Sequence, residues 1–159
     1  MNNDTEIIDK DSIKHMLGFC QRKDVGAVGA KLLYDDGNIQ HAGVTIGIQS
    51  VAGHNFLDMS NDKYGYFSRA IISQDLSAVT AACILIDKNV FYEAGCFDEK
   101  IAVAFNDIDL CLRIRKLGYL VVYDAESLLY HYESKSRGRE DSADKVLRFR
   151  SEKYLFLDR

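Results

Sequence analysis

Apolar residues near the start of the chain recur with the period of a helix. They lie three or four positions apart, which is the spacing of one buried helical face, and comprise Ile13, Met16, Leu17 and Cys20. Asp9 or Asp11 can cap the first turn of such a helix. The pattern therefore predicts a helix over about residues 10–22.

A second helical pattern begins at Asn106. Its apolar stripe comprises Leu110, Ile114 and Leu117. Asp107 and Asp109 place negative charge in the first turn, where the helix dipole favours it, and Gly118 is a typical stop. Two further helices are predicted, a short one between the capping residue Asp87 and Gly95, and an amphipathic one over about residues 141–157.

Strand-like runs alternate with these helices. Residues 25–34 are followed by the hairpin signal Asp36-Gly37 and by a second run over 39–48, so we expect the two runs to pair. Further strands are expected at about 67–74, 79–86 and 119–131. The polar, glycine-containing stretch 47–65 reads as a long loop and a candidate lid. This alternation favours an α/β fold.

Composition narrows the class of protein. A chain of 159 residues with 47% apolar and 28% charged residues suits one folded domain. We find no apolar run long enough for a membrane span and no signal-peptide profile. A net charge of −4 argues against a basic surface for nucleic acid.

The cysteines give no sign of a disulfide framework or a zinc site. There are four of them, Cys20, Cys83, Cys96 and Cys111, and no two form a C-x-x-C pair. We expect reduced, mostly buried thiols in a cytoplasmic protein.

Three clusters could carry chemistry, and each has a structural alternative. Residues 2–4 (NND) could be a frayed terminus, and residues 106–109 (NDID) could be only a helix start. His131, with Glu133 close behind it, could simply end a strand. His41 and His54 could each contact a substrate or serve packing.

The order of several motifs is more specific than any one of them. In chain order they are residues 2–6 (NNDTE), 25–34 (VGAVGAKLLY), 36–37 (DG), 39–43 (IQHAG), 95–98 (GCFD), 105–113 (FNDIDLCLR), 118–119 (GY) and 131–134 (HYES). This set resembles the family 2 glycosyltransferases, and most of all their bacterial rhamnosyltransferase-type members. The resemblance covers residues 1–138.

The resemblance implies a partial GT-A fold, the nucleotide-diphospho-sugar transferase fold, with a mixed sheet flanked by helices. Residues 1–138 would form the acceptor-side portion of the domain, and 139–159 a C-terminal amphipathic helix. The implied activity is inverting transfer of a sugar from a nucleoside diphosphate sugar to a hydroxyl of a glycan or lipid-linked acceptor, in cell-surface polysaccharide synthesis.

Site residues follow from the same resemblance. Asn2 and Asp4 stand where the family has a D-x-D-type metal motif, and His131 matches a histidine that closes the metal or diphosphate site. The metal would be Mn²⁺ or Mg²⁺, for which the anionic Asp4 is a better ligand than an amide. Asp107 occupies the position of the catalytic base, which takes the proton of the acceptor hydroxyl.

Substrate contacts are assigned more broadly. The candidates are Asn106, Asp109, His41, Lys135 and Arg137. Asp109 could instead be a structural carboxylate paired with Arg113 at i+4. Lys135 and Arg137 could equally be solvated surface charges.

The chain begins at the D-x-D-type motif, so we expect most of the nucleotide pocket to be missing and the chain alone to be inactive. We also expect exposed strand edges to favour a homo-oligomer. Two other readings remain, a non-catalytic binding or assembly module, and a metal-dependent phosphohydrolase using Asp4, Asp107, Asp109 and His131.

Overall fold

The computed structural model describes residues 1–48, 51–101, 103–132 and 143–158. The α-helices in these ranges are α1 (Ser12–Cys20), α2 (Lys88–Glu93), α3 (Asn106–Lys116) and α4 (Ala143–Leu157). The strands are β1 (Thr5–Ile7), β2 (Val25–Leu33), β3 (Ile39–His41), β4 (Val44–Ile46), β5 (Ala52–His54), β6 (Gln74–Asp75), β7 (Ile84–Ile86) and β8 (Leu120–His131).

The main sheet is built on one long parallel pair, β2 and β8. The sheet order is β1-β8-β2-β3, with β6 added to β8 and β7 added to β2, and every pairing other than β2 with β8 is antiparallel. A separate two-stranded sheet joins β4 and β5. The fold is therefore a mixed α/β architecture, as expected, and it is consistent with a partial nucleotide-diphospho-sugar transferase fold.

Apolar clusters cover both faces of this sheet. One cluster fills the space between the sheet and helices α2 and α3, and the other lies under α1, where Met16 is 1% exposed. Gly26 and Gly29 of β2 allow Ile114 and Val79 to approach the backbone, because a Cβ at either glycine would lie within 3 Å of those side chains. Burial on both faces explains why β2 reads as an almost continuous apolar run.

The helix predictions are confirmed to within a few residues. Asp87 caps α2 by accepting hydrogen bonds from the N–H groups of Asn89 and Val90, and Gly95 and Gly118 follow α2 and α3 with positive φ. The C-terminal helix packs back on the domain, because Phe149 and Phe156 of α4 contact the ring of Phe105.

The single strand expected over 39–48 is wrong. Gly43 turns the chain with a φ of 86°, and Leu76 fills the space where a Cβ would stand. The residues before the turn form β3 beside β2, whereas those after it form β4, which pairs with β5. The expected long loop therefore contains a strand of its own, Ala52–His54.

The strand expected over 67–74 is also wrong for most of its length. Residues Tyr66–Ser68 form a short 3₁₀ turn, in which Phe67 and Ser68 have positive φ, and only Gln74–Asp75 joins the sheet. The run over 79–86 divides in the same way, into the 3₁₀ turn Ala81–Cys83 and the strand β7.

The cysteines agree with the expectation of free thiols. All four are free, and Cys83 and Cys111 are buried. Burial raises the pKa of Cys111 to about 12, so its thiol stays protonated at neutral pH. In the described part of the chain, no helix is long and apolar enough to cross a membrane.

Two glycine substitutions test the close approach of Val79 to β2. Gly29→Ala places a methyl group 2.7 Å from Val79 Cγ2, and we expect overpacking to lower the free energy of unfolding by about 1–3 kcal/mol. Gly18→Ala is the matched control, because a Cβ there meets nothing within 4 Å and removes a helix-interior glycine. It should raise the free energy of unfolding by about 0.5–1 kcal/mol. Urea unfolding measures both, and equal effects would contradict the packing.

Candidate functional site

The turn before β7 holds two of the predicted site residues through its backbone. The N–H of Thr80 donates to Nε2 of His41 at 3.3 Å, and the next N–H, of Ala81, donates to Oδ2 of Asp107 at 3.0 Å. His41 belongs to β3 and Asp107 to the first turn of α3. One short turn therefore connects two elements that lie far apart in sequence.

The same turn fixes the start of the chain. The N–H of Asn2 donates to the carbonyl of Ala82 at 2.8 Å, and the carbonyl of Asp4 accepts from the N–H of Tyr132 at 2.9 Å. The hydroxyl of Thr5 donates to the carbonyl of Asn2 at 2.7 Å. The alternative of a frayed terminus is thus wrong, because residues 2–5 are bonded to the turn and to the end of β8.

Asp107 is held in a defined orientation. Its Oδ1 accepts from the N–H of Ile108 at 2.9 Å, and its own N–H donates to Oδ1 of Asn106 at 2.7 Å. Phe105, with a φ of 64°, makes the sharp entry into the helix. Asp107 does accept a hydrogen bond at the start of the helix, as expected if residues 106–109 served only to begin it. A carboxylate oxygen that accepts one hydrogen bond nevertheless keeps a second lone pair, which can take another proton.

Gln40 determines which nitrogen of the His131 ring carries a proton. The side-chain N–H₂ of Gln40 donates to the carbonyl of His131 at 3.3 Å, so its Oε1 is an acceptor and lies 2.7 Å from Nδ1 of the same histidine. Nδ1 must therefore carry a proton. In the neutral ring Nε2 is then unprotonated and acts as an acceptor, which is the state required of a metal-binding histidine.

The unprotonated Nε2 faces a carboxylate oxygen. Nε2 of His131 lies 3.3 Å from Oδ1 of Asp4, and both side chains are more than four-fifths buried. Oδ1 is buried and receives no hydrogen bond from any described residue. Two acceptors this close need a proton or a cation between them. The donor set of one nitrogen and one anionic oxygen fits a divalent cation such as Mn²⁺.

This pair alone does not make a complete metal shell. Among the described residues, no group of three or more histidine, cysteine, aspartate or glutamate side chains could hold a metal ion. The amide Nδ2 of Asn2 lies 3.5 Å from Nε2 of His131, so all three predicted metal-site residues do meet. The family resemblance groups these residues although Asn2 and His131 are 129 positions apart.

His41 itself is inaccessible. Its side chain is 0% exposed, and its Nδ1 lies 2.8 Å from Nδ1 of His54, which is exposed. Burial, with His54 and His131 nearby, holds the pKa of His41 well below its usual range. His41 is therefore neutral at physiological pH, and His54 stands between it and the solvent.

A cavity of about 240 Å³ lies beside these groups. It is lined by Tyr34, Gln40, His54, Leu57, Thr80 and His131. Of the catalytic-base and metal-site candidates, His131 lines the cavity, whereas Asp107 accepts a hydrogen bond from Ala81, the residue after the cavity-lining Thr80.

Asp109 has a different environment. It is 5% exposed, and its Oδ2 accepts from Nε and Nη2 of Arg113 at 3.0 and 2.8 Å. Arg113 also donates to the carbonyls of Ala94 and Cys96, which ties the segment after α2 to α3. The pairing with Arg113 is confirmed, and Asp109 does not line the cavity. Lys135 and Arg137, like Glu133, lie outside the described residues.

Sequence reasoning missed Gln40 and the backbone donors of the turn. A signal for Gln40 exists, because it is a polar residue between Ile39 and His41 in a strand that is fully buried. Buried polar side chains are normally hydrogen-bonded, so a glutamine at this position predicts a hydrogen-bond partner for its side chain. The amides of Thr80 and Ala81 have no comparable signal, since any residue except proline supplies one.

The chain is similar to several known proteins. No protein-family model matches the chain. It is 49% identical over 153 residues, 96% of its length, to the uncharacterized protein y4gI of Sinorhizobium fredii. It is 38% identical over 138 residues, 86% of its length, to the O-antigen biosynthesis protein RfbC of Myxococcus xanthus.

A third relative is an N-acetylglucosaminyl-diphospho-decaprenol L-rhamnosyltransferase of Mycobacterium tuberculosis, 32% identical over 79 residues, or 50% of the chain. The matched regions span 17%, 11% and 25% of the three relatives in turn, so the chain corresponds to a small part of each. These similarities support a glycosyltransferase-like group of proteins.

A carboxylate substitution tests the structural role of Asp109. Asp109→Asn leaves the partly buried Arg113, whose side chain is 27% exposed, without its anionic partner, and we expect the free energy of unfolding to fall by about 2 kcal/mol. The same substitution at Asp24, whose ion pair with Arg22 is about half exposed, is the control and should change stability far less. Urea unfolding of both variants decides, and a small effect at Asp109 would contradict a structural role.

Proposed function

We propose that this chain is part of an inverting glycosyltransferase, which transfers a sugar from a nucleoside diphosphate sugar to an acceptor hydroxyl in cell-surface polysaccharide synthesis. The observation that carries the proposal is the 3.3 Å contact between Asp4 Oδ1 and His131 Nε2, with the Asp107 carboxylate hydrogen-bonded to the turn that also holds the start of the chain. The relatives named for O-antigen biosynthesis and rhamnosyl transfer support it. Because the chain spans a small part of them, the activity is proposed for the whole protein.

In this mechanism Asp107 is the general base. The acceptor oxygen attacks the anomeric carbon while its proton passes to the carboxylate of Asp107, and the bond from that carbon to the diphosphate oxygen breaks on the opposite face. The N–H groups of Ala81 and Ile108 keep the carboxylate oriented before the acceptor arrives. Such preorganisation spares the reaction the cost of ordering the base.

Asp4 and His131, with Asn2 beside them, would hold a divalent cation. When bound, this cation neutralises the charge of the diphosphate leaving group. Gln40 keeps the proton of His131 on Nδ1 and so leaves the Nε2 lone pair available to a cation. Among the described residues these side chains are too few to complete a metal shell, so further oxygen ligands would be needed.

The base is tested in the whole protein that carries this chain, by a sugar-transfer assay. Asp107→Asn keeps the size of the side chain but removes the basic oxygen, so we expect kcat to fall roughly 100-fold or more, with the KM for the donor little changed. Asp87→Asn is the control, because it alters a carboxylate at another helix start, and kcat should stay near wild type. A kcat of Asp107→Asn within twofold of wild type would exclude Asp107 as the base.

The metal site is tested by paramagnetic broadening of amide resonances on adding Mn²⁺ to this chain. We expect weak binding, with broadening centred on Asp4 and His131, because two protein ligands form an incomplete shell. Asp4→Asn should abolish the localised broadening. Glu6→Gln, a change two positions further along the chain in β1, should preserve it, since Glu6 accepts a hydrogen bond from the hydroxyl of Tyr132 instead. Broadening that survives Asp4→Asn, or tight Mn²⁺ binding without nucleotide, would contradict this site.

A further inference from the structure

The hydrogen bonds around His41 define where its proton lies. A backbone N–H can only donate, so the contact from Thr80 N–H makes Nε2 of His41 an acceptor. A neutral imidazole carries one proton, which must then be on Nδ1. His41 is neutral because it is completely buried.

The same reasoning passes to the second histidine. Nδ1–H of His41 faces Nδ1 of His54 at 2.8 Å, so the latter nitrogen must accept. The proton of the His54 ring is then on Nε2. The two rings meet edge-on, with an interplanar angle of 78° and centroids 4.9 Å apart, so His41 also restricts the orientation of the His54 ring.

His54 lines the 240 Å³ cavity beside the candidate site. Its lining, as far as the chain is described, consists of neutral or weakly basic polar groups and one leucine, with no lysine or arginine. The volume is below the range of roughly 300–1,000 Å³ that is usual for drug-sized ligands. A cavity of this size and polarity fits a single hexose ring with several hydroxyls.

We propose that His41 is a positioning residue that fixes His54 as an N–H donor to a hydroxyl oxygen of a hexose bound in this cavity. The proposal rests on the glycosyltransferase function and adds to it a sugar-contacting residue, His54, on β5. The predicted substrate role of His41 is then indirect, because His41 acts through His54. The hexose could belong to the acceptor or to the donor, since both present the same hydroxyl chemistry.

The tautomers can be measured in the wild-type chain without any substitution. With ¹⁵N-labelled histidine, the imidazole nitrogen resonances distinguish protonated from unprotonated positions. We expect His54 to be protonated on Nε2 and His41 on Nδ1. A mixture of tautomers at His54, or a proton on its Nδ1, would overturn the proposal.

Two probes distinguish the sources of the sugar. Methyl glucoside represents an acceptor sugar and UDP-glucose a donor sugar, each titrated while the His54 Nε2–H resonance is followed. Saturable shifts with methyl glucoside assign the cavity to the acceptor, and shifts with UDP-glucose alone assign it to the donor. Shifts at Tyr34 and Thr80 without a change at His54 would overturn the contact with His54.

Paired variants separate positioning from packing. His41→Leu removes the donor to His54, whereas His41→Asn keeps an N–H close to the Nδ1 position. We expect mixed His54 tautomers and roughly fivefold weaker sugar binding in the first variant, and largely wild-type behaviour in the second. Should the first variant not fold, His54→Leu and His54→Gln give the same contrast at an exposed position, since glutamine retains a donor and leucine does not.

The failure of this proposal differs from a failure of the proposed function. Loss of the tautomer preference with sugar binding intact would overturn only the role of the two histidines. Fixed tautomers with no response to either probe anywhere in the chain would overturn the sugar contact and leave the histidine pair as a structural feature, whereas the glycosyltransferase proposal fails only if the whole protein shows no sugar transfer.

Discussion

The turn Thr80–Ala82 is the constraint on which the candidate site depends. Buried backbone N–H and carbonyl groups must find partners, and here those partners come from β3, from α3 and from the start of the chain. Because the N–H donors of Thr80 and Ala81 belong to the backbone, substitutions in the turn by any residue except proline would leave them in place. The position of the turn is set by the packing of Val79 against Gly29 in the middle of β2. The geometry of the site therefore depends on the packing of the sheet core.

Two neighbouring residues of the short strand β3 orient two distant histidines. Gln40 directs the proton of His131 to Nδ1, and His41 directs that of His54 to Nε2. Strand β2 ends opposite Tyr130, so Gln40 can reach past its end to the next residue of β8. This strand, three residues long, therefore determines the proton positions of two histidines although it adds little to the sheet.

The sequence predicts most of the helices and the two long strands β2 and β8, because these depend on local periodicity and capping, as at Asp87, whereas the parallel pairing of β2 with β8 is seen only in the structure. It fails over 39–48, where one glycine with positive φ redirects the chain to a different partner. The site was predicted in part: the meeting of Asp4 with His131 was expected only because the family resemblance implies it. The sequence does not predict the role of Gln40 or the hydrogen bond between Asp107 and Ala81. Both depend on tertiary geometry, which produces no spacing pattern in the sequence.

The strained entry into α3 joins the C-terminal helix to the catalytic-base candidate. A left-handed conformation at Phe105 costs on the order of 1 kcal/mol or more, and the ring contacts with α4 offset it. The N–H of Ala104 also donates to the buried Glu152 of α4, at 2.6 Å. Detachment of α4 removes these contacts and frees the segment before Asp107. The amides of the first turn of α3 should consequently exchange their hydrogens through a local opening shared with α4, at a lower free energy than the centre of β2.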